Sequence, residues 1–193
     1  MRKAKKTRGK RKEAKKTKKT KEGPFKSIFV GERVISNSKK AVELFNKSCF
    51  GQLIDGKVHY SLVEAAYLLE KKKMQVFEGK KKLSFDKFIE KARKIEKNFL
   101  TRYFVFKDIR SRGYIVKTAL KFGADFRVYD RGTKPGKDHA KWILFPVHQS
   151  EILTWFEFVS KNRVAHSTRK KLLIGIVDDE GDVTYYECEW VRP

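Results

Sequence analysis

The chain has 193 residues, of which 40% are hydrophobic, and it carries a formal net charge of +24. An apolar fraction of this size can build a folded core, and the excess of positive charge predicts a polyanionic partner. The sequence shows neither an apolar run that could span a bilayer nor a secretory h-region. We therefore expect a cytoplasmic protein with no membrane partner.

The first 22 residues carry a large part of this charge. Residues 1–22 contain 13 Lys or Arg and 2 Glu, a net +11 that leaves +13 for the rest of the chain. A segment without an apolar face cannot offset the entropy that ordering removes, so we predict a disordered basic tail. An arm that binds RNA is favoured over an inert solubilising extension. Membrane-surface binding fits less well, because hydrophobic anchors are absent.

Beyond the tail, the chain divides near residue 100 into two predicted units. Residues 23–100 have the signals of a mainly helical α+β domain, and residues 101–193 those of an α/β domain with a mixed sheet flanked by helices. Two cysteines, Cys49 and Cys188, have no metal-ligand spacing. We expect small core residues in a reducing compartment, and the sequence predicts no metal or other cofactor.

The α+β unit begins with "SIFVGERVIS", which predicts a short hairpin around a glycine turn. Ser38 is a candidate N-cap for a helix that stops at Gly51. Ser61, followed three residues later by Glu64, has the spacing of a capping box at the start of a second helix. Ser84 is in the corresponding position before a third helix.

The α/β unit begins with a helical stretch around Tyr103–Ile109, which Gly113 interrupts. Four segments rich in β-branched and aromatic residues then predict strands: "DFRVYDRG", "AKWILFPVH", "KKLLIGIVD" and "DVTYYECEWV". Between the second and third strands, the spacing predicts a helix from Ser150 to about Asn162.

Three residues far apart in sequence carry the strongest functional signal. Tyr129 lies in "FRVYDRG", His139 in "KDHAKW" and Lys170 in "RVAHSTRKK". In this order and context they resemble the Tyr–His–Lys triad of archaeal tRNA-splicing endonucleases. That family reads FRVY-x-RG, a His before an apolar strand, and R-[VL]-A-x-S-x-R-K. The resemblance covers roughly residues 95–191, with Ala140 where relatives usually have Ser.

The resemblance implies RNA cleavage by attack of the ribose 2′-OH without a metal, giving a 2′,3′-cyclic phosphate and a 5′-OH. It assigns the 2′-OH proton to Tyr129, the leaving-group proton to His139 and the transition-state charge to Lys170. An imidazole and an ammonium suit the latter two roles. An unperturbed phenol ionises only around pH 10. Cations such as Arg127, Arg131 or Lys170 would favour its ionised form if the fold places them beside it, and orienting the 2′-OH is a milder role.

Taken singly, these residues have structural interpretations. A tyrosine at a strand end more often packs, a lone histidine caps or lies on the surface, and a lysine within "RKK" is solvated. His166, four residues before Lys170, fills the variable position of the motif and is left as structural or RNA-facing. His59 and His148 carry no motif.

Basic residues near the triad are candidate RNA contacts. In relatives, an arginine at the position of Arg163 stacks on a bulged nucleotide, whereas a helix C-cap is an equally good interpretation. Arg127 and Arg131 are two further candidates. Aromatic residues of the last strand could stack on RNA, but in a terminal strand they favour core or interface: Tyr185, Tyr186 and Trp190.

The segment "VDDEGDV" gathers acids in a basic chain: Asp178, Asp179, Glu180 and Asp182. They surround Gly181, as in a tight hairpin turn. The resemblance implies that this loop inserts into a basic groove of a neighbouring subunit. An ordinary charged turn, or a metal site that uses Asp178 and Asp182, are the alternatives.

The terminal "YYECEWVRP" predicts a strand that would pair with its symmetry mate, because an unpaired edge aggregates. The resemblance then implies a homotetramer, a dimer of dimers, acting on the two splice sites of a pre-tRNA. One alternative is the catalytic subunit of a heterotetramer with a second, non-catalytic chain. A non-enzymatic RNA-binding protein with a degenerate triad is another.

Overall fold

The computed structural model describes residues 23–119 and 123–191. The predicted tail, residues 1–22, lies outside the described residues. Within those two ranges the chain forms five helices and two β-sheets. None of these helices has the length and apolar character that crossing a bilayer requires.

The first sheet is built from six short strands. They are β1 (Phe25–Val30), β2 (Arg33–Ser36), β3 (Gln52–Ile54), β4 (Lys57–Tyr60), β5 (Met74–Glu78) and β6 (Lys81–Lys82). Their order is β3-β4-β2-β1-β5-β6, with β1 and β5 parallel and the other neighbours antiparallel. The predicted hairpin is confirmed as β1 and β2, which turn at Gly31 with φ 57°.

Helices cover one face of this sheet. They are α1 (Lys39–Ser48), α2 (Leu62–Glu70) and α3 (Phe85–Ile95). The three predicted N-caps are confirmed, because the side chains of Ser38, Ser61 and Ser84 each accept a hydrogen bond from a backbone N–H three residues on. At α2 the Glu64 carboxylate accepts a hydrogen bond from the Ser61 N–H in return, which completes the capping box.

The predicted end of α1 at Gly51 is wrong. The helix ends at Ser48, and Cys49 takes the left-handed conformation with φ 56° while its N–H donates to the Phe45 carbonyl at 2.8 Å. That bond closes the last turn two residues earlier than predicted. Gly51 is needed for space, since a Cβ there would lie 2.6 Å from Val58 Cγ1.

The second sheet has five strands, and two helices pack against it. The elements are α4 (Phe99–Ser111), β7 (Ile115–Thr118), β8 (Phe126–Tyr129), β9 (Trp142–His148), α5 (Trp155–Ser167), β10 (Lys171–Val177) and β11 (Val183–Cys188). The strand order is β11-β10-β9-β8-β7, with β9 and β10 parallel and the other pairs antiparallel. The four predicted strands and the mixed sheet between helices are therefore confirmed. Strand β7 had no prediction.

The predicted bounds of α5 are wrong by five residues at each end. Thr154, not Ser150, is the N-cap, and it shares a capping box with Glu157. Ser150 instead bonds the ring Nδ1 of His148 at 2.8 Å. Because α5 continues to Ser167, Arg163 lies inside the helix, and the C-cap interpretation is excluded.

Burial of the two cysteines also differs from the prediction. Both Cys49 and Cys188 are only partly buried. Cys49 occupies a helix C-cap, and Cys188 ends β11 at the edge of its sheet. Neither cysteine is fully buried, although Cys188 packs against the buried cluster that includes Leu172 of β10.

A single apolar cluster links the two sheets through α4. Val105 and Phe106 of α4 are buried against the second sheet, and the Phe106 ring lies 5.9 Å from both Tyr67 of α2 and Phe126 of β8. A smaller cluster forms on the other face of the second sheet, where α5 contributes Ala165. The two faces of this sheet are therefore packed by different helices.

A buried carboxylate joins the two halves of the chain. Glu64, which is 5% exposed, accepts hydrogen bonds from the Gly51 N–H at 2.8 Å and from Ser61. Lys117 of β7 lies 3.9 Å from it and donates to the carbonyls of Cys49 and Gly51. The Glu64 carboxylate and the Lys117 ammonium therefore both bind backbone groups of the loop that follows α1.

We predict that Glu64→Ala lowers the free energy of unfolding by about 2–4 kcal/mol, because it leaves the Gly51 and Ser61 N–H groups without their acceptor and removes the negative charge near Lys117. Urea denaturation at fixed protein concentration measures the change. Glu90→Ala is the matched control, since its pair with Lys94 is exposed to solvent, and such surface pairs contribute little to stability. Equal effects of the two substitutions would contradict the role of Glu64.

Candidate active site at one edge of the second sheet

Strand register brings two of the three triad candidates to one edge of the second sheet. The Lys141 N–H donates to the Val128 carbonyl at 2.9 Å, and the Lys171 N–H donates to the Lys141 carbonyl at 3.0 Å. Tyr129 ends β8, and Lys170 directly precedes β10. Tyr129, Lys141 and Lys170 therefore lie at the same level across three adjacent strand ends.

Side-chain alternation sets the face on which these groups lie. Phe126 and Val128 of β8 are buried in the cluster under α4. Arg127 and Tyr129 alternate with them, so they project from the opposite face, which α5 covers. Lys170 is on this face too, because its backbone and its ammonium are both hydrogen-bonded to carbonyls at the end of α5.

Lys170 is half-buried and held by the C-terminal end of α5. Its backbone N–H donates to the Ala165 carbonyl at 2.9 Å, and its Nζ donates to the Thr168 carbonyl at 2.6 Å. Burial lowers the pKa of Lys170 below the usual lysine value, and the neighbouring Arg127 charge lowers it further. A cation fixed in this way needs little reorganisation to meet an anion.

Tyr129 is the most enclosed of the three candidates. Its side chain is 4% exposed, and its backbone pairs with Ile115 of β7. Packing therefore restricts the ring to the end of β8. Such restriction is needed for a group that must meet a substrate hydroxyl in one orientation.

His139 lies in the loop between β8 and β9, three residues before β9 begins. The Asp138 carboxylate accepts from the Lys134 N–H at 2.8 Å, and the Asp138 N–H returns a bond to the Lys134 carbonyl at 2.9 Å. Ala140 is buried, whereas His139 between them is exposed. No described residue forms a hydrogen bond or ion pair with the imidazole, so both ring nitrogens are open to a ligand.

The three arginine candidates differ in their surroundings. Arg127 lies beside Lys170, as described above. The Arg131 guanidinium is 5.0 Å from the centre of the Tyr114 ring. Arg163 is exposed on α5 and faces solvent. Of the three arginines, Arg127 is the one whose charge lowers the pKa of a triad candidate, Lys170.

A cavity of about 750 Å³ adjoins Lys170 between the end of α5 and the end of β11. Its cationic lining consists of Lys141, Arg169, Lys170 and Lys171. The rings of His166 and Trp190, 4.6 Å apart, lie at the same cavity. Sequence reasoning did not select Lys141 or Arg169, and the strand register is the signal that identifies Lys141.

The acidic segment forms the tight turn between β10 and β11 that its sequence predicts. Asp178 accepts hydrogen bonds from the N–H groups of Glu180 at 3.0 Å and Asp182 at 2.8 Å. Asp179 accepts from Gln149 at 2.8 Å. Glu180 and Asp182 are exposed, and their carboxylates have no partner among the described residues. Asp178 and Asp179 thus stabilise the turn, and Glu180 and Asp182 project into solvent.

Within residues 23–119 and 123–191, no three His, Cys, Asp or Glu side chains converge as metal ligands. Asp178, one of the two acids in the alternative metal site, directs its carboxylate to the backbone of its own turn. The described residues therefore give that alternative no preformed site.

Comparison with known proteins adds an independent finding. A family model for the catalytic C-terminal domain of tRNA intron endonuclease matches residues 99–185, and one for the N-terminal domain matches residues 25–89. The tRNA-splicing endonuclease of Thermococcus onnurineus is 42% identical over 88% of this chain and 98% of its own. That of Nanoarchaeum equitans is 49% identical, over 73% and 94%. That of Methanothermobacter thermautotrophicus is 37% identical, over 85% and 96%.

We predict that Arg127→Met raises the pKa of Lys170 toward the usual lysine value. A neighbouring positive charge disfavours the ammonium, so removing it favours protonation, while the burial of Lys170 remains. Titration of the lysine ε-carbons by NMR, with the Lys170 signal assigned by its loss in Lys170→Arg, measures the shift. Arg131→Met should leave this pKa in place, because that guanidinium lies over Tyr114. A downward shift in Arg127→Met would contradict the assignment.

Proposed function

The chain belongs to the tRNA intron endonuclease family and is an endonuclease that cleaves introns from precursor tRNA, and we propose that Tyr129, His139 and Lys170 form its catalytic centre. One observation carries this proposal: the strand register aligns Tyr129, at the end of β8, with Lys170, just before β10, on the face that α5 covers. Lys141 is aligned between Tyr129 and Lys170, and His139 precedes it by two residues in the chain.

In the proposed reaction the ribose 2′-oxygen attacks the adjacent phosphorus, and the bond from phosphorus to the 5′-oxygen breaks. Tyr129 orients the 2′-OH and, as the phenolate, accepts its proton to become the neutral phenol. His139 donates a proton to the departing 5′-oxygen, in keeping with its exposed and unpaired imidazole. Lys170 stabilises the added charge on the phosphate oxygens. The products are a 2′,3′-cyclic phosphate and a 5′-OH, and the sequence of steps requires no metal.

Recognition of the RNA would use the cations around this centre. Arg127, which lies next to Lys170, is suited to the phosphates that flank the cleaved bond. Arg163, exposed on α5, can stack on a base that is displaced from its helix, and Arg131 can contact the backbone. These roles suit a substrate whose splice sites lie in bulges between helices.

We propose that the enzyme acts as a homotetramer, a dimer of dimers. Strand β11 is at the edge of its sheet, so its outer side can pair with a second copy. Exposed apolar residues at the start of α5 support a buried contact: Ile152, Trp155 and Phe156. The free carboxylates of Glu180 and Asp182 would join two such dimers through a basic groove of the neighbour.

We predict that His139→Ala reduces the single-turnover cleavage rate of a bulge–helix–bulge RNA by about 10²–10⁴-fold, because a positioned acid contributes that much. RNA affinity should stay within about twofold of the parent chain. His148→Ala is the matched control, since His148 lies at the opposite end of β9. All reactions contain EDTA. Loss of cleavage by the parent chain in EDTA would exclude the metal-independent reaction, and an unaffected rate in His139→Ala would exclude the acid.

We predict that the double substitution of Glu180→Lys and Asp182→Lys separates the tetramer into dimers, because it replaces the attractive charges with repulsive ones. Light scattering coupled to size exclusion measures the mass. Glu90→Lys, at an exposed position of α3, is the control and should remain tetrameric. A parent chain that is active only after addition of a second protein would instead identify a heterotetramer.

A further inference from the structure

The first sheet has an open face that the catalytic proposal does not use. Helices α1, α2 and α3 pack on one side, where Val34, Val58 and Val76 are fully buried. On the other side Ile28 is 57% exposed and Val30 is 52% exposed. Adjacent strand residues alternate between the two sides, so these exposures follow from the sheet having one covered face. "Open face" refers below to the side of Ile28 and Val30.

Strand register gives the open face a continuous apolar centre. Ile28 of β1 pairs with Ile35 of β2 on one side and with Phe77 of β5 on the other. Val30 is two residues further along β1, and Ile54 of β3 lies toward the far edge. These side chains line a groove of about 650 Å³. Apolar surface gathered in one place marks an interaction site more often than scattered exposed residues do.

Polar residues surround this centre, and most of the charged ones are basic. The cations on the open face are Lys26, Arg33, Lys57 and Lys82. The Lys26 ammonium lies 5.8 Å from the centre of the Phe77 ring, so it borders the apolar centre directly. Asp55 is the acid among the described residues that line the groove. An apolar centre with a charged rim has the anatomy of a protein–protein interface.

This charge selects among possible occupants. A second copy of the same face would oppose identical cations, and residues 1–22 carry a net +11, so both would be repelled. RNA would satisfy the cations, but bases stack on rings, and most of the apolar centre is aliphatic (Ile28, Val30, Ile35 and Ile54), with Phe77 as the one Phe, Tyr or Trp among the described lining residues. A protein segment with apolar side chains between acidic ones satisfies both parts of the face.

We propose that the open face binds an acidic amphipathic helix of a partner protein. Helices cover one face of this mostly antiparallel sheet, and among the described residues no helix covers the other face, which leaves its apolar centre available to a partner. Strand β1, with six residues, is about 20 Å long, which a helix of about 14 residues matches. The apolar stripe of the helix packs on Ile28 and its neighbours, and flanking carboxylates pair with Lys26 and Lys57.

The test uses the full chain and a labelled helical peptide of about 14 residues, with leucines at helical spacing and glutamates beside them. Fluorescence anisotropy measures its affinity. We expect saturable binding that Ile28→Asp weakens about tenfold or more, because a charge then enters the apolar centre. Ile95→Asp, at another exposed isoleucine but at the end of α3 on the covered side of the sheet, should bind as the parent does. Circular dichroism verifies that both variants fold.

A second pair of measurements tests the charged rim. The double variant Lys26→Glu with Lys57→Glu should bind the acidic peptide more weakly. It should bind more tightly a second peptide that has the same leucines but lysines in place of the glutamates. Equal binding of the peptide by parent and Ile28→Asp would overturn the proposal. So would an Ile28→Asp variant that instead loses affinity for single-stranded RNA, or one whose mass by light scattering falls, since the occupant would then be RNA or a second copy.

Discussion

The parallel pairing of β9 with β10 is the constraint on which the active-site edge depends. Parallel neighbours require a crossover, and α5 supplies it on one face of the sheet. The end of α5 therefore returns Lys170 to the level at which β9 starts. Tyr129 is at that level too, because it ends β8, which runs antiparallel to β9. Had β10 paired antiparallel to β9, Lys170 would lie at the opposite edge.

The half of the chain without catalytic candidates also shapes this edge. Helix α4 packs between the two sheets, and Lys117 of β7 reaches across to the loop after α1, where Glu64 holds the same backbone. Strand β7 pairs with β8, the strand that ends in Tyr129. The N-terminal unit therefore supports the outer side of the catalytic sheet through buried polar contacts as well as apolar ones.

Local signals predicted the parts of the fold that depend on local physics. Ser38, Ser61 and Ser84 were recognisable as caps because capping involves residues three apart. The hairpin of β3 and β4 was not predicted, although an Asp-Gly pair is a common hairpin turn. In the structure, Asp55 and Gly56 both have the positive φ that such a turn needs. Within the site, order and motif identified Tyr129, His139 and Lys170. Lys141 was not found, because its position follows from the pairing of strands distant in sequence, which no local pattern encodes.

The exposed position of His139 affects which RNAs the proposed centre can cut. Tyr129 and Lys170 are already fixed by packing and hydrogen bonds, whereas no described residue orients the imidazole. Correct alignment of the acid then depends on contacts that the substrate itself supplies. An unfolded RNA strand that enters the site meets Tyr129 and Lys170 in fixed positions, but the His139 imidazole is not aligned with it. Fidelity in such an enzyme resides in the shape of the folded transcript, which keeps other cellular RNA intact.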